Sequence, residues 1–245
     1  RNVMNMSSGL DTEETIENLL NPKSWIANWF TAAFELNKGD FREMSKNAKP
    51  LPGESAGEHF RYSGANTQTL LLATQHVSGM RWQDLWNERV WSKIGAKNAF
   101  ITGLAQDGTA LAAGLHNTTP EDLLRYTMIY TPSWNVVSDE QIISDRLLKS
   151  IQTMGNPEAY KGSTEEQYGT DWFGEVPAYN SAQWDHVFSD GAMFKHGNMG
   201  QGIYVDPARD FCGLYFGLAP NPDEISGIDR SPGYLRNAAK YFAGK

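Results

Sequence analysis

The stretch Met193-Phe194-Lys195-His196-Gly197-Asn198-Met199-Gly200-Gln201-Gly202-Ile203-Tyr204-Val205 reads as two short strands on either side of a glycine-bounded turn. Gly197 and Gly200 supply the backbone freedom a tight reversal needs, and the flanking runs at 193–195 and 202–205 are apolar and strand-favouring. A second turn-forming run, Asp206-Pro207-Ala208-Arg209-Asp210, leads into a third strand at 212–218. Three sequential strands joined by short turns make an antiparallel meander. Beyond Ser231-Pro232-Gly233, residues 234–242 form a closing helix suited to lie against that sheet.

Toward the N-terminus the texture changes at Gly155, with strand-like short apolar runs after it and helical periodicity before it. Residues 12–20 read as a short helix begun by Asp11 or Thr12 and ended by Pro22, and 24–36 as an aromatic-rich helix. Leu70, Leu71, Ala73, Thr74 and Val77 share a helical face that stops at Ser78-Gly79. Residues 82–94 make the next helix, and 101–115 are irregular. Thr118-Thr119-Pro120-Glu121-Asp122 is a helix start, with proline in the first turn and carboxylates after it. Ser138-Asp139-Glu140 is expected to cap a helix running through Leu147 and Leu148. The fold class is α/β in the α+β sense, with residues 1–160 mainly helical and 161–245 forming the sheet and its closing helix.

At 245 residues and 40% hydrophobic content, the chain can bury a substantial core. Its 12% of aromatic residues is spent chiefly on packing, with some left to line a cleft. A formal net charge of −8 with no basic run opposes a nucleic-acid partner. No stretch is long and apolar enough to cross a bilayer. The single cysteine, Cys212, rules out an internal disulfide and reads as a buried structural thiol.

Taken alone, Lys195-His196-Gly197 has an ordinary reading, a solvated lysine on a strand near a turn. Its order in the chain changes that. Phe60-Arg61-Tyr62-Ser63-Gly64-Ala65-Asn66-Thr67 precedes it by a long interval, and an apolar Ile203-Tyr204-Val205-Asp206-Pro207 strand, a third strand and a terminal helix follow. Met6-Ser7-Ser8-Gly9-Leu10, Trp91-Ser92-Lys93-Ile94-Gly95, Gly114-Leu115 before Thr119-Pro120, and Gly200-Gln201 add further landmarks. This succession resembles, along nearly the whole chain, the serine β-lactamase and penicillin-binding-protein-like hydrolases, in particular the group of class C β-lactamases, carboxylesterases and 6-aminohexanoate-dimer hydrolases. In that family a Ser-x-x-Lys helix carries the nucleophile. No serine here is followed three residues later by lysine. The resemblance therefore implies the C-terminal, larger part of a single such domain, with Ser-x-x-Lys supplied by a segment preceding Arg1.

On this resemblance Tyr62 relays protons near the serine, and Lys195 supplies the cation that favours a phenolate and attracts a carboxylate-bearing substrate. Gly197 permits close backbone approach, and the N–H of Asn198 forms half of an oxyanion hole. His196 is either a substrate-facing residue or a hydrogen-bonded structural one. Strand alternation sets Lys195 and His196 on opposite faces unless twist brings both toward a cleft. Trp172 and Tyr168 line an acyl pocket or pack in the core. Gly64 stands where β-lactamases have the asparagine of a Tyr-x-Asn motif, which favours an ester or linear amide over a lactam.

The implied protein is a serine acyl hydrolase with a small ester or amide substrate and no cofactor, and the resemblance leans toward a periplasmic or secreted location. The alternative is an inactive member that binds a peptide, lipid or partner protein. His59, His76, His116, His186 and His196 show no metal-ligand spacing, so sequence spacing alone argues against a metal.

Overall fold

The computed structural model describes residues 1–35, 38–197, 200–217 and 231–243. The chain divides into two compact units, residues 1–86 with 100–117, and residues 87–99 with 118–245.

The first unit is helical. Its elements are α1 (Ile16–Leu20), α2 (Trp25–Phe34), α3 (Phe41–Lys46), α4 (Gly64–Ser78) and the first part of α5 (Trp82–Arg89), with a small antiparallel pair, β1 (Ile101–Thr102) and β2 (His116–Asn117). Four of these helices begin at side-chain caps: Thr15 Oγ1 accepts from Asn18 N–H, Ser24 Oγ from Ala27 N–H, Asp40 Oδ1 from Glu43 N–H and Ser63 Oγ from Ala65 N–H. The first helix thus starts later than the expected Asp11 or Thr12. The core gathers Ile26, Trp29, Ala32 and Ala33 of α2 against Phe41, Ala65, Ala105 and Leu111. Trp29 buries its ring and satisfies its indole N–H on Ser45 Oγ at 2.8 Å. The buried Gln68 amide donates to Ala110 O and accepts from Ala112 N–H, both at 2.9 Å, which ties the irregular 101–115 segment to α4.

The second unit carries α6 (Pro120–Met128), α7 (Asp145–Thr153), α8 (Pro157–Tyr160), α9 (Thr164–Phe173) and α10 (Ser231–Ala243) around an antiparallel sheet ordered β3-β4-β5-β6-β7. The strands are β3 (Tyr179–Ser181), β4 (Trp184–Val187), β5 (Met193–Gly197), β6 (Gln201–Asp206) and β7 (Phe211–Phe216). The expected meander is β5-β6-β7, in register from Met193↔Val205 to Gly197↔Gln201 and from Gln201↔Phe216 to Asp206↔Phe211. The predicted end of the third strand at Leu218 lies outside the described residues. Cys212, on β7, is half-buried rather than fully buried.

Two further expectations change. The helix assigned to Ser138 begins instead at Ser144, whose Oγ accepts from Leu147 N–H, while Ser138 closes a local turn with Glu140. Beyond Gly155 the chain forms α8 and α9 before any strand. Ser163 Oγ accepts from Glu166 N–H and the Glu166 carboxylate takes Gly162 N–H, a reciprocal cap that starts α9.

Trp172 of α9 and Ala239 of α10 pack with Phe188, Ala192, Phe194 and Tyr204 in the core of this unit. The buried Arg236 of α10 lies over the Phe188 ring at 3.9 Å, donates to Tyr204 OH at 3.0 Å, and pairs with Glu175 and Asp190. The closing helix is therefore locked to the sheet by both apolar and charged contacts.

Candidate active site

In the first unit, Tyr62 is half-buried immediately ahead of α4. Its carbonyl accepts from Glu14 N–H at 3.1 Å. Arg61 forks to Glu54 at 2.6 Å and to Glu13 at 2.7 Å, and its N–H reaches Met6 O. Ser63 Oγ caps α4 through Ala65 N–H, and the Glu14 carboxylate accepts from Gly64 N–H. A Cβ at position 64 would lie 2.6 Å from Ala113 Cβ and 3.0 Å from Glu14 Oε1, so this position has no room for a side chain. These ties fix the backbone on both sides of Tyr62.

In the second unit, β4 and β5 pair with His186 opposite Phe194 and Val187 opposite Met193. Continuing that register sets Asp185 across from Lys195. The Lys195 ammonium lies 2.7 Å from Asp185 Oδ1, and His196 N–H donates to Asp185 Oδ2 at 2.9 Å. Glu165 of α9 brings Oε1 to 2.8 Å from His196 Nε2 and to 3.5 Å from His186 Nε2. His196 Nε2 is also 3.5 Å from Asp185 Oδ2, and Tyr160 OH lies 2.8 Å from His186 Nδ1. Gly169 makes this approach possible, because a Cβ there would sit 2.8 Å from His186 Nδ1 and 2.5 Å from Pro177 Cγ.

Burial and charge oppose each other throughout the cluster. Burial resists protonation of His196, but Glu165 and Asp185 outweigh it and raise its pKa above the ordinary histidine value. Burial likewise resists ionisation of Glu165, and the charges of His196, His186 and Lys195 overcome it, holding the carboxyl below the usual range. For His186 burial wins, pushing its pKa down to about 4 despite the neighbouring carboxylates. Burial also raises Tyr160 far above the usual phenol range, with Glu165 and Asp185 adding to the effect, so its hydroxyl stays neutral. Ion-pair contacts thus join Lys195 and His196 to Asp185 and Glu165, beside a His186 whose protonation burial opposes.

Of the residues singled out in the sequence, Lys195, His196 and Gly197 stand together on β5. Asn198 lies outside the described residues. Trp172 is 5% exposed and sets its ring edge-on to His196 at 5.1 Å, with Tyr168 stacked on it at 5.4 Å. The Trp172 ring thus forms a wall of the core against the charged cluster. Sequence reading missed Glu165, Asp185, His186 and Tyr160, since no spacing motif joins α8 and α9 to β4. The donor atoms of Glu165, Asp185 and His196 all lie within 4.8 Å of one another, a separation that a metal ion can span.

The sequence model of the Beta-lactamase family matches residues 1–225. The chain belongs to the beta-lactamase family. This beta-lactamase-family chain is 25% identical over 185 residues to the 6-aminohexanoate-dimer hydrolase of Paenarthrobacter ureafaciens, a match covering 76% of this chain and 46% of that one. It thus spans about half the length of that curated relative. The structure of EstCE1, a hydrolase with promiscuous acyltransferase activity, superposes with a TM-score of 0.66 at 14% identity, covering 100% of this chain and 71% of that one. The LovD9 mutant of simvastatin synthase from Aspergillus terreus gives a TM-score of 0.63 at 12% identity, with 100% and 69% covered. At these identities the likeness concerns the fold. No helix among the described residues is long and apolar enough to cross a membrane.

Proposed function

We propose that this chain is the larger part of a serine acyl hydrolase that cleaves an ester or a linear amide, its nucleophile supplied by a Ser-x-x-Lys segment preceding Arg1. The observation that carries this reading is the family match over residues 1–225, with Tyr62 ahead of α4 and Lys195-His196-Gly197 on β5 in the family's order. The serine oxygen attacks the carbonyl carbon and its proton passes through Tyr62 to the leaving alcohol or amine. The N–H of Asn198 donates to the developing oxyanion, and water then releases the acyl group and restores the serine. Lys195, held at Asp185, draws substrates that carry a carboxylate. The absence of side-chain room at position 64 favours ester or linear amide over lactam, because the asparagine of a Tyr-x-Asn motif would collide with Ala113.

The test uses the protein with its preceding segment, a fluorophosphonate probe and paired p-nitrophenyl ester and anilide substrates. The proposal expects probe labelling of a serine ahead of Arg1, and a fall in acylation rate of about a hundredfold or more in Tyr62→Phe. Labelling with near-normal acylation in Tyr62→Phe would remove the role given to Tyr62. An unlabelled, folded protein would overturn the enzyme reading in favour of a binding protein built on the same fold.

A further inference from the structure

We propose that Asp185 is a specificity-determining residue: by holding the Lys195 ammonium it competes with the carboxylate of an incoming substrate and limits how strongly the site favours anionic substrates over neutral ones. Asp185 takes this role within the hydrolase reading, in which Lys195 meets the substrate.

The charged cluster opens to solvent chiefly through one cation. The Lys195 side chain is 30% exposed, against 11% for His196, 6% for Glu165 and 3% for Asp185. An anion approaching from solvent therefore meets the cluster at the ammonium, not at the groups behind it. Asp185 Oδ1 already lies 2.7 Å from that Nζ. A charge-assisted contact between ammonium and carboxylate is also what a substrate carboxylate would make, so the two anions compete for the same cation. The Glu165 carboxylate is engaged elsewhere, with Oε1 2.8 Å from His196 Nε2.

Asp185 makes a second bond, and chemistry can separate the two. The paired residues of β4 and β5 are His186↔Phe194 and Val187↔Met193, and two residues past Phe194 the His196 N–H donates to Asp185 Oδ2 at 2.9 Å. That bond fixes the β5 backbone immediately ahead of Gly197. An asparagine at 185 keeps one bond and loses the other. Its amide oxygen still accepts from the His196 N–H, which turns the amide nitrogen, a donor with no lone pair to offer, toward the ammonium. Lys195 is then released to the substrate while the strand stays anchored. An alanine at 185 removes both acceptors.

The experiment compares p-nitrophenyl hexanoate with p-nitrophenyl hydrogen adipate, in which a carboxylate replaces the terminal methyl, as substrates of the protein with its preceding segment. The quantity read is the ratio of kcat/KM for the adipate to that for the hexanoate, which a uniform structural loss leaves unmoved. Asp185→Asn should raise this ratio about tenfold, chiefly through a lower KM for the adipate, as one negative charge is removed from contact with the ammonium. Asp185→Ala should raise it too and also lower kcat for both esters, whereas Lys195→Met should bring it below wild type. Circular dichroism establishes that each variant is folded, and if one Asp185 variant misfolds the other decides. An unchanged or reduced ratio in a folded Asp185 variant, or a rise that persists undiminished when Lys195→Met is added, would overturn the role of Asp185. Hexanoate turnover and fluorophosphonate labelling of the wild type would leave the hydrolase reading standing in that event. A wild type that does neither would overturn that reading and the role of Asp185 with it.

Discussion

Trp172 separates a core role from a substrate-lining one, and truncating it to alanine has a calculable cost. The indole is 5% exposed, packs with Phe188, Phe194, Tyr204 and Ala239, and meets His196 and His186 edge-on at 5.1 and 5.8 Å. Replacing a buried tryptophan with alanine costs about 3–5 kcal/mol through lost transfer energy and the cavity left behind. Edge-to-face ring contacts supply about 0.5–1.5 kcal/mol each, so about 4 kcal/mol is expected for Trp172→Ala. For a domain of this size 1 kcal/mol moves the melting temperature by about 2–4 °C, which places the loss near 8–16 °C. Differential scanning calorimetry with urea denaturation measures it, with Trp172→Phe expected to fall between wild type and alanine. The loss should appear in the transition of the second unit, which holds all these partners. A shift under about 2 °C, accompanied by a changed KM for ester or amide substrates, would refute the reasoning and assign the ring to a binding pocket.

Acid should weaken the second unit. His186 is neutral in the fold with its pKa pushed down to about 4, so the unfolded chain binds a proton there between about 6.5 and 4 and the fold does not. Stability is then lost as pH falls through that window, by up to about 3 kcal/mol at 1.36 kcal/mol per pH unit. His196 acts in the opposite sense: its raised pKa stabilises the fold fully below the unfolded value and is lost as pH rises through the folded one. Denaturation midpoints across pH should therefore pass through a maximum near neutrality, and His186→Phe should flatten the acid limb; an unaltered limb would contradict the assignment. Gly169→Ala gives a sign test at one atom. An alanine inside a helix ordinarily gains about 1 kcal/mol over glycine, but a Cβ 2.5 Å from Pro177 Cγ and 2.8 Å from His186 Nδ1 forces α9 away from β4. A net loss of about 1–3 kcal/mol is expected from urea melts, and a stabilised variant would show that the close approach is not required.

Elements whose boundaries are written in adjacent residues were legible in the sequence. Thr119-Pro120 opens α6, Ser24 opens α2, and the turns around β5, β6 and β7 carry glycine, proline and aspartate where the backbone reverses. The β3–β4 hairpin was hidden because its two-residue loop, Ala182-Gln183, takes φ values of 49° and 71° without the glycine or asparagine that normally marks such a turn. Strand β4 is buried at all four positions, which erases the alternation that would reveal it. The capping box Ser163-x-x-Glu166 was a local signal for α9 and outweighs the strand-like composition after it. For the cluster, Lys195-His196-Gly197 could be read along the chain, whereas Glu165, Asp185 and His186 meet them through folding. No local rule places residue 165 beside residue 196.

That convergence also resolves the alternation of β5. Lys195 and His196 are neighbours whose side chains belong on opposite faces, yet both answer to Asp185, one through its ammonium and the other through its backbone N–H. A single carboxylate reached from two directions fixes the strand at the residue pair that the resemblance assigns to substrate. It has an electrostatic consequence as well. The field of Lys195 reaching an incoming anion is that of an ion pair, with Asp185 cancelling part of it at 2.7 Å, and such a field falls off faster with distance than that of a lone cation. In the role proposed for it, Lys195 would act at contact range and contribute little to long-range steering, in keeping with a chain whose net charge of −8 repels anions from afar. Under the proposed function, selection for a carboxylate-bearing substrate would come from the last few ångströms of approach, where the ammonium can exchange part of its bond to Asp185 for one to the substrate.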